Sequence, residues 1–162
     1  MIQPNKIYLD VCCLNRPFDD WIQPRIRLEA EAIVAILDRV QAGDWLLISS
    51  TALVVEIARA PDVSRRAQVM DLLAVAKIKL PMTTEHIQRA AHLQSLGFKP
   101  FDALHIACAE VANADVFMTT DDRLRRRAKT YANQLNTQVQ NPLTWMIEAG
   151  TNLEDEDDDD PS

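Results

Sequence analysis

The sequence predicts an α/β protein with a parallel sheet, and three observations predict it. Short apolar runs of β-branched and aromatic type alternate along the chain with longer stretches of 3.6-residue periodicity. The first run, Ile7, Tyr8 and Leu9, is uniformly apolar, as suits a strand buried on both faces. Pro100 falls where a helix starts, and Gly43 and Gly97 fall where two others stop.

The first strand ends abruptly at Asp10, within KIYLDVCC, and Asn15 to Asp20 then reads as a loop containing Pro17 and two acids. Pro24 opens a helix whose apolar positions Ile26, Ala30, Ile33, Leu37 and Val40 share one face. Trp45 to Ile48 is the second strand. Ser49, Ser50 and Thr51 offer N-caps for a helix that ends near Pro61. A third helix starts near Val63, with Val63, Ala67, Met70 and Ala74 on one face. A short strand, Ile78 to Leu80, leads to a helix capped by Thr84 and closed after Leu96. The helix from Pro100 carries Leu104, Ile106, Ala107, Cys108 and Val111. Asp115 leads into a fourth strand, VFMTT, and Thr120 or Asp121 caps the basic helix RLRRRAK. A last short strand near Val139 and a helix after Pro142 complete the body.

Length and composition fit one folded domain, residues 1–151, followed by an acidic low-complexity tail, residues 152–162, expected to be disordered. No apolar run approaches the ~18 residues of a membrane span, and no basic-then-apolar leader opens the chain. Cys12, Cys13 and Cys108 are odd in number and two are adjacent, which argues for a reducing, cytoplasmic setting. The net charge of −7 resides in Glu154 to Asp160; the remaining 17 acids match the 17 Lys and Arg. A neutral body with local basic patches remains compatible with an acidic partner such as nucleic acid.

Four acids stand out: Asp10, Glu56, Asp102 and Asp121. Each also has an ordinary structural role. Asp10 can end a strand, and Glu56 can be solvated off an apolar helix. Asp102 can answer a helix dipole, and Asp121 can cap a helix. In a parallel sheet, however, strand ends and the helix starts that follow them face one edge, where ligands bind. Carboxylates gathered there repel one another, and a hard divalent cation with oxygen ligands removes the conflict. Such a site activates water for in-line attack on phosphate.

The pieces YLDVCCL, the lone Glu56, KPFDALHIACA and FMTTDDRLRRRA resemble the PIN-domain ribonucleases, in particular the toxins of VapC-type toxin–antitoxin pairs. The resemblance covers most of the folded body. It implies a three-layer α/β/α sandwich around a central parallel sheet and metal-dependent endonucleolytic cleavage of RNA. It further implies that Asp10, Glu56, Asp102 and Asp121 bind one or two Mg²⁺ or Mn²⁺ ions. A cognate antitoxin protein is the partner it implies, and a homodimer is compatible with it. The neighbouring Asp122 is a backup ligand or a helix N-terminal residue, and the second is favoured. Cys12 stands where many members carry Ser, Thr or Asn, and a thiol suits a hard cation poorly. Asn15 is the candidate to replace that polar contact. Leu124 stands where many members have a further Asp, so the fourth motif rests on Asp121.

For substrate binding, Arg16 is the first candidate for a phosphate contact, with Asn15 and Arg123 beside it. Arg123, Arg125, Arg126, Arg127 and Lys129 form a basic helix that can hold an RNA backbone or serve as a solvated face. His105 is expected to be packed or hydrogen-bonded, and the three cysteines to act as small buried apolar groups. Two other classes compete: a PIN-like module that binds RNA or protein without cutting, and a receiver-like phosphoacceptor using Asp10. The lone Glu56 and the lack of a Lys at the end of a late strand argue against the receiver.

Overall fold

The computed structural model describes residues 4–157, with the backbone alone from residue 151. Five parallel strands form one sheet in the order β3-β2-β1-β4-β5: β1 Asn5–Leu9, β2 Trp45–Ser50, β3 Ile78–Leu80, β4 Val116–Met118 and β5 Gln138–Gln140. The order reverses at β1, which pairs with β2 on one side and β4 on the other. Ile7, Tyr8 and Leu9 have no exposed surface, as a central strand covered on both faces requires.

Among the described residues, eight helices connect and flank the strands: α1 Val11–Asn15, α2 Pro24–Gln41, α3 Thr51–Ala58, α4 Val63–Leu73, α5 Thr84–Ser95, α6 Pro100–Val111, α7 Asp122–Thr130 and α8 Pro142–Asp157. The chain crosses from β1 to β2 through α2, and returns from β3 to β4 through α5 and α6. Right-handed crossovers running in opposite directions place these helices on opposite faces. The result is the three-layer α/β/α sandwich. No described helix is long and apolar enough to cross a membrane.

Most elements fall where the residues predict them. Ala30, Ile33, Leu37 and Val40 are buried on α2, Ser50 caps α3, and Gly97 closes α5 at φ +99°. Four details differ from the expectation or add to it. The loop expected at Asn15 to Asp20 is preceded by the one-turn helix α1, which Asp10 caps, and includes a 3-10 turn over Arg16–Phe18. Thr83, not Thr84, caps α5, its backbone N–H and hydroxyl both bonded to His86 Nδ1. On α4 the buried residues are Val69 and Leu73, while Val63 is 67% and Met70 37% exposed. That helix packs on α3 and α1 through the adjacent stripe, so the face carrying Ala67 and Met70 borders a groove beside Val54 and Ile57. The acidic tail expected from Asn152 begins within α8. Residues 158–162 and the side chains beyond 150 lie outside the described residues.

Candidate metal centre

Asp10 is the first residue beyond β1, at the point where the strand order reverses. Its backbone N–H continues the ladder to the Met118 carbonyl at 3.0 Å. Leu9 pairs with Met118 in register, so the next residue of each chain segment, Asp10 and Thr119, come side by side. The Thr119 hydroxyl donates to Asp10 Oδ2 at 2.8 Å, and the Val11 N–H donates to Oδ1 at 2.8 Å. Both carboxylate oxygens are therefore fixed in direction. The residue is buried, with an exposure of 6%.

Glu56 lies on the last turn of α3 and reaches the same point from the β2 side. An oxygen of Asp10, an oxygen of Glu56 and a ring nitrogen of His105 lie within 4.8 Å of one another. Asp102 stands on the first turn of α6 and Asp121 at the N-cap of α7, where Oδ1 accepts the N–H groups of Arg123 and Leu124 at 2.9 and 3.3 Å; neither belongs to the group within 4.8 Å. The electrostatics show that these acids sense one another. Burial pushes the Asp10 carboxyl well above its usual range, with the neighbouring Cys12 and then Asp102 adding to the effect and the Thr119 hydrogen bond opposing it. Burial pushes Asp102 up to about 6, helped by repulsion from Asp121 and Glu56 and opposed by His105 and Lys99. The raised proton affinities of Asp10 and Asp102, with Glu56 beside Asp10, suit a hard divalent cation, whose charge would offset the repulsion.

Some expected residues sit elsewhere. Asn15 does not reach Asp10; its amide N–H donates to the Val11 carbonyl and its oxygen accepts from Arg65. Thr119 supplies the polar contact that Asn15 was expected to give. Arg16 is engaged by Glu29 at 3.0 Å and Asp19 at 3.1 Å. Arg123 is exposed on the first turn of α7, close to Asp121 in sequence. Asp122 behaves as expected of a helix N-terminal residue and is paired with Arg25 and Arg125, which hold its carboxyl below the usual range. Leu124 is buried in the core.

Cys13 and Cys108 are buried as expected, but Cys12 is not a mere filler. Its Sγ lies 3.3 Å from Asp10 Oδ2 and 3.3 Å from Thr119 Oγ. Thr119 is a contact of Asp10 that the sequence reading missed, and His105 is buried and hydrogen-bonded as expected, with Nε2 2.9 Å from Glu56 Oε2 and Nδ1 2.6 Å from the Tyr8 hydroxyl. The parallel register of β1 and β4 is the signal that finds Thr119.

The PIN domain profile matches residues 7–130, more than half of the chain and all four acids. The chain belongs to the PIN-domain family. Among solved structures it is similar to a chain of VapBC2 from Rickettsia felis, crystallised bound to a DNA fragment from its promoter. Sequence identity is 11%, the TM-score is 0.54, and the likeness covers 84% of this chain and 98% of that one. At that identity it is the PIN fold that is shared. No curated protein matches the chain by sequence.

Proposed function

We propose that this PIN-domain chain is a Mg²⁺- or Mn²⁺-dependent endoribonuclease, the toxin half of a toxin–antitoxin pair. The observation that carries the proposal is the meeting of Asp10 and Glu56 at the strand-order reversal, with Asp102 and Asp121 electrostatically coupled to them. The toxin assignment is supported by likeness to a chain of a VapBC complex, and an antitoxin is the partner it suggests.

Asp10, Glu56, Asp102 and Asp121 would hold the cation. Bound there, it supplies positive charge that polarises a phosphoryl oxygen and acidifies water. The chain provides the orientation. Val11 N–H and the Thr119 hydroxyl hold the Asp10 carboxylate plane, and Asp121 keeps Oδ1 on the α7 cap with Oδ2 left for a ligand. The exposed guanidinium of Arg123, at the positive end of α7, is placed to meet a phosphate, whereas Arg16 would first have to leave Glu29. RNA as the substrate rests on the family resemblance.

The test is cleavage of single-stranded RNA with Mg²⁺ or Mn²⁺ by wild type, Asp10→Asn and Asp102→Asn. Each substitution is expected to cost at least about 100-fold in rate. Cleavage surviving both overturns the assignment. A second reading, a PIN-like module that binds RNA or protein without cutting, is favoured by the Cys12 thiol on Asp10 Oδ2. It prevails if the wild type binds RNA and leaves it intact with either ion.

A further inference from the structure

We propose that His105 is a positioning residue for Glu56, held by a buried hydrogen-bond chain from Ser50 through Tyr8, and is not itself a cation ligand. The inference rests on the reading of Asp10 and Glu56 as cation ligands.

Proximity alone would suggest the opposite, since a ring nitrogen of His105 lies within 4.8 Å of oxygens of Asp10 and Glu56. Hydrogen-bond direction decides the matter. His105 Nε2 is 2.9 Å from Glu56 Oε2, and Nδ1 is 2.6 Å from the Tyr8 hydroxyl. A carboxylate only accepts, so the proton of the first contact belongs to Nε2. With the proton at Nε2, Nδ1 is the ring's acceptor, and the Tyr8 hydroxyl donates to it. Ser50 Oγ, 2.7 Å from the Tyr8 oxygen, donates to it in turn. The Ser50 oxygen accepts the Leu53 N–H at 3.2 Å as the cap of α3. Every donor finds one acceptor, and the chain runs one way from Ser50 to Glu56.

Both ends of this chain lie at α3. It starts at the helix cap, passes through β1 and α6, and returns to a carboxylate near the other end of the same helix. The histidine ring cannot turn out of line. It has no exposed surface, lies 5.6 Å from the Tyr8 ring, and is stacked by Phe101 at 6.1 Å, over which Arg59 sits. A nitrogen carrying its proton has no lone pair for a metal. The opposite tautomer would aim a lone pair at the Glu56 carboxylate, so the geometry selects Nε2–H. Glu56 on its helical stem is thereby held toward Asp10.

The test uses the full chain with ¹⁵N-labelled imidazoles, of which there are three. Long-range ¹H–¹⁵N spectra should show His105 protonated at Nε2 without metal and after saturation with Mg²⁺. An Nδ1–H tautomer, or loss of Nε2–H as Mg²⁺ is added, overturns the proposal. Mn²⁺ titration calorimetry gives the second arm. His105→Ala should weaken Mn²⁺ binding by about 10-fold or more. His105→Gln, whose amide N–H can replace Nε2–H, should stay within about 3-fold of wild type, and Tyr8→Phe should fall between. If Asp10→Asn loses Mn²⁺ affinity while His105→Ala keeps it, the positioning role alone fails. If Asp10→Asn also binds Mn²⁺ like wild type, the cation site fails and this proposal with it.

Discussion

Asp102 carries a cost that a metal-free preparation should reveal. Its carboxyl titrates near 6 in the folded protein because of burial and the nearby Asp121 and Glu56, above the value of an unfolded aspartate. A folded-state pKa above the unfolded one means the folded chain binds that proton more tightly. The penalty is therefore present above about pH 6 and is relieved as pH falls toward 4. Partial solvent access reduces it to on the order of 1–2 kcal/mol. Asp102→Asn should raise the melting temperature of the metal-free protein at pH 7.5 by a few degrees, with the gain vanishing near pH 4. Saturating Mn²⁺ should reverse the order, since the wild type alone keeps the full ligand set. A lower melting temperature for the variant without metal would mean that the helix-dipole contribution of Asp102 outweighs repulsion. Asp10, Asp102 and Asp121 were legible in the sequence because each lies at a strand end or helix start, positions that local pattern locates, and Glu56 stood out as the lone acid of an apolar helix. Tyr8, His105 and Thr119 were not, because their roles depend on strand register and on contacts across the sheet that no local spacing encodes.

At the level of elements, the α2 stripe was legible but the acid on its edge was not. Glu29 sits beside Ala30 and is almost fully buried, bonded to Arg16, Arg25 and Asn141. Arg25 also holds Asp122 and the Thr120 carbonyl, so this cluster ties the turn after α1 and the start of α8 to the start of α7, where Asp121 stands. Removing one member of a buried ionic cluster strands the others, at about 3–5 kcal/mol. Glu29→Ala should lower stability by that amount in urea unfolding, with Glu29→Gln losing less; a loss below about 1 kcal/mol would show that the cluster is solvated. Gly97 is a second such joint. A Cβ there would collide with the Arg127 guanidinium, and φ is +99°. Gly97→Ala should cost more than about 1 kcal/mol and free Arg127 from the Leu96 carbonyl. Two of the five basic side chains of α7 thus serve structure, Arg127 at α5 and Arg125 at Asp122, while Arg123, Arg126 and Lys129 are exposed. The sequence shows the charges on α7 but not this division, which depends on what packs beside the helix.

For the molecule as a whole, alternation of strand and helix made the parallel sheet legible. The strand order was not, because it depends on which side of β1 each strand joins. Charge distribution is the whole-molecule property with the clearest consequence. Glu154 to Asp160 carry seven of the 24 acids, and without them acids and bases are equal at 17 each. If the chain binds RNA as proposed, a tethered anionic segment would compete with RNA phosphates for exposed arginines such as Arg123 and Arg126, and the competition would be ionic, so salt should weaken it. Ending the chain after Asn152 should strengthen binding of a single-stranded RNA by several-fold at about 50 mM salt. The two forms should converge near 500 mM, where the screening length is only a few ångströms. Arg123→Ala should reduce affinity in both forms and lower the salt slope by about 0.7, the share of one phosphate contact on a single strand. Equal affinity of the two forms at low salt would show that the acidic segment does not reach the basic surface, and a salt slope unmoved by Arg123→Ala would remove that residue from the RNA path.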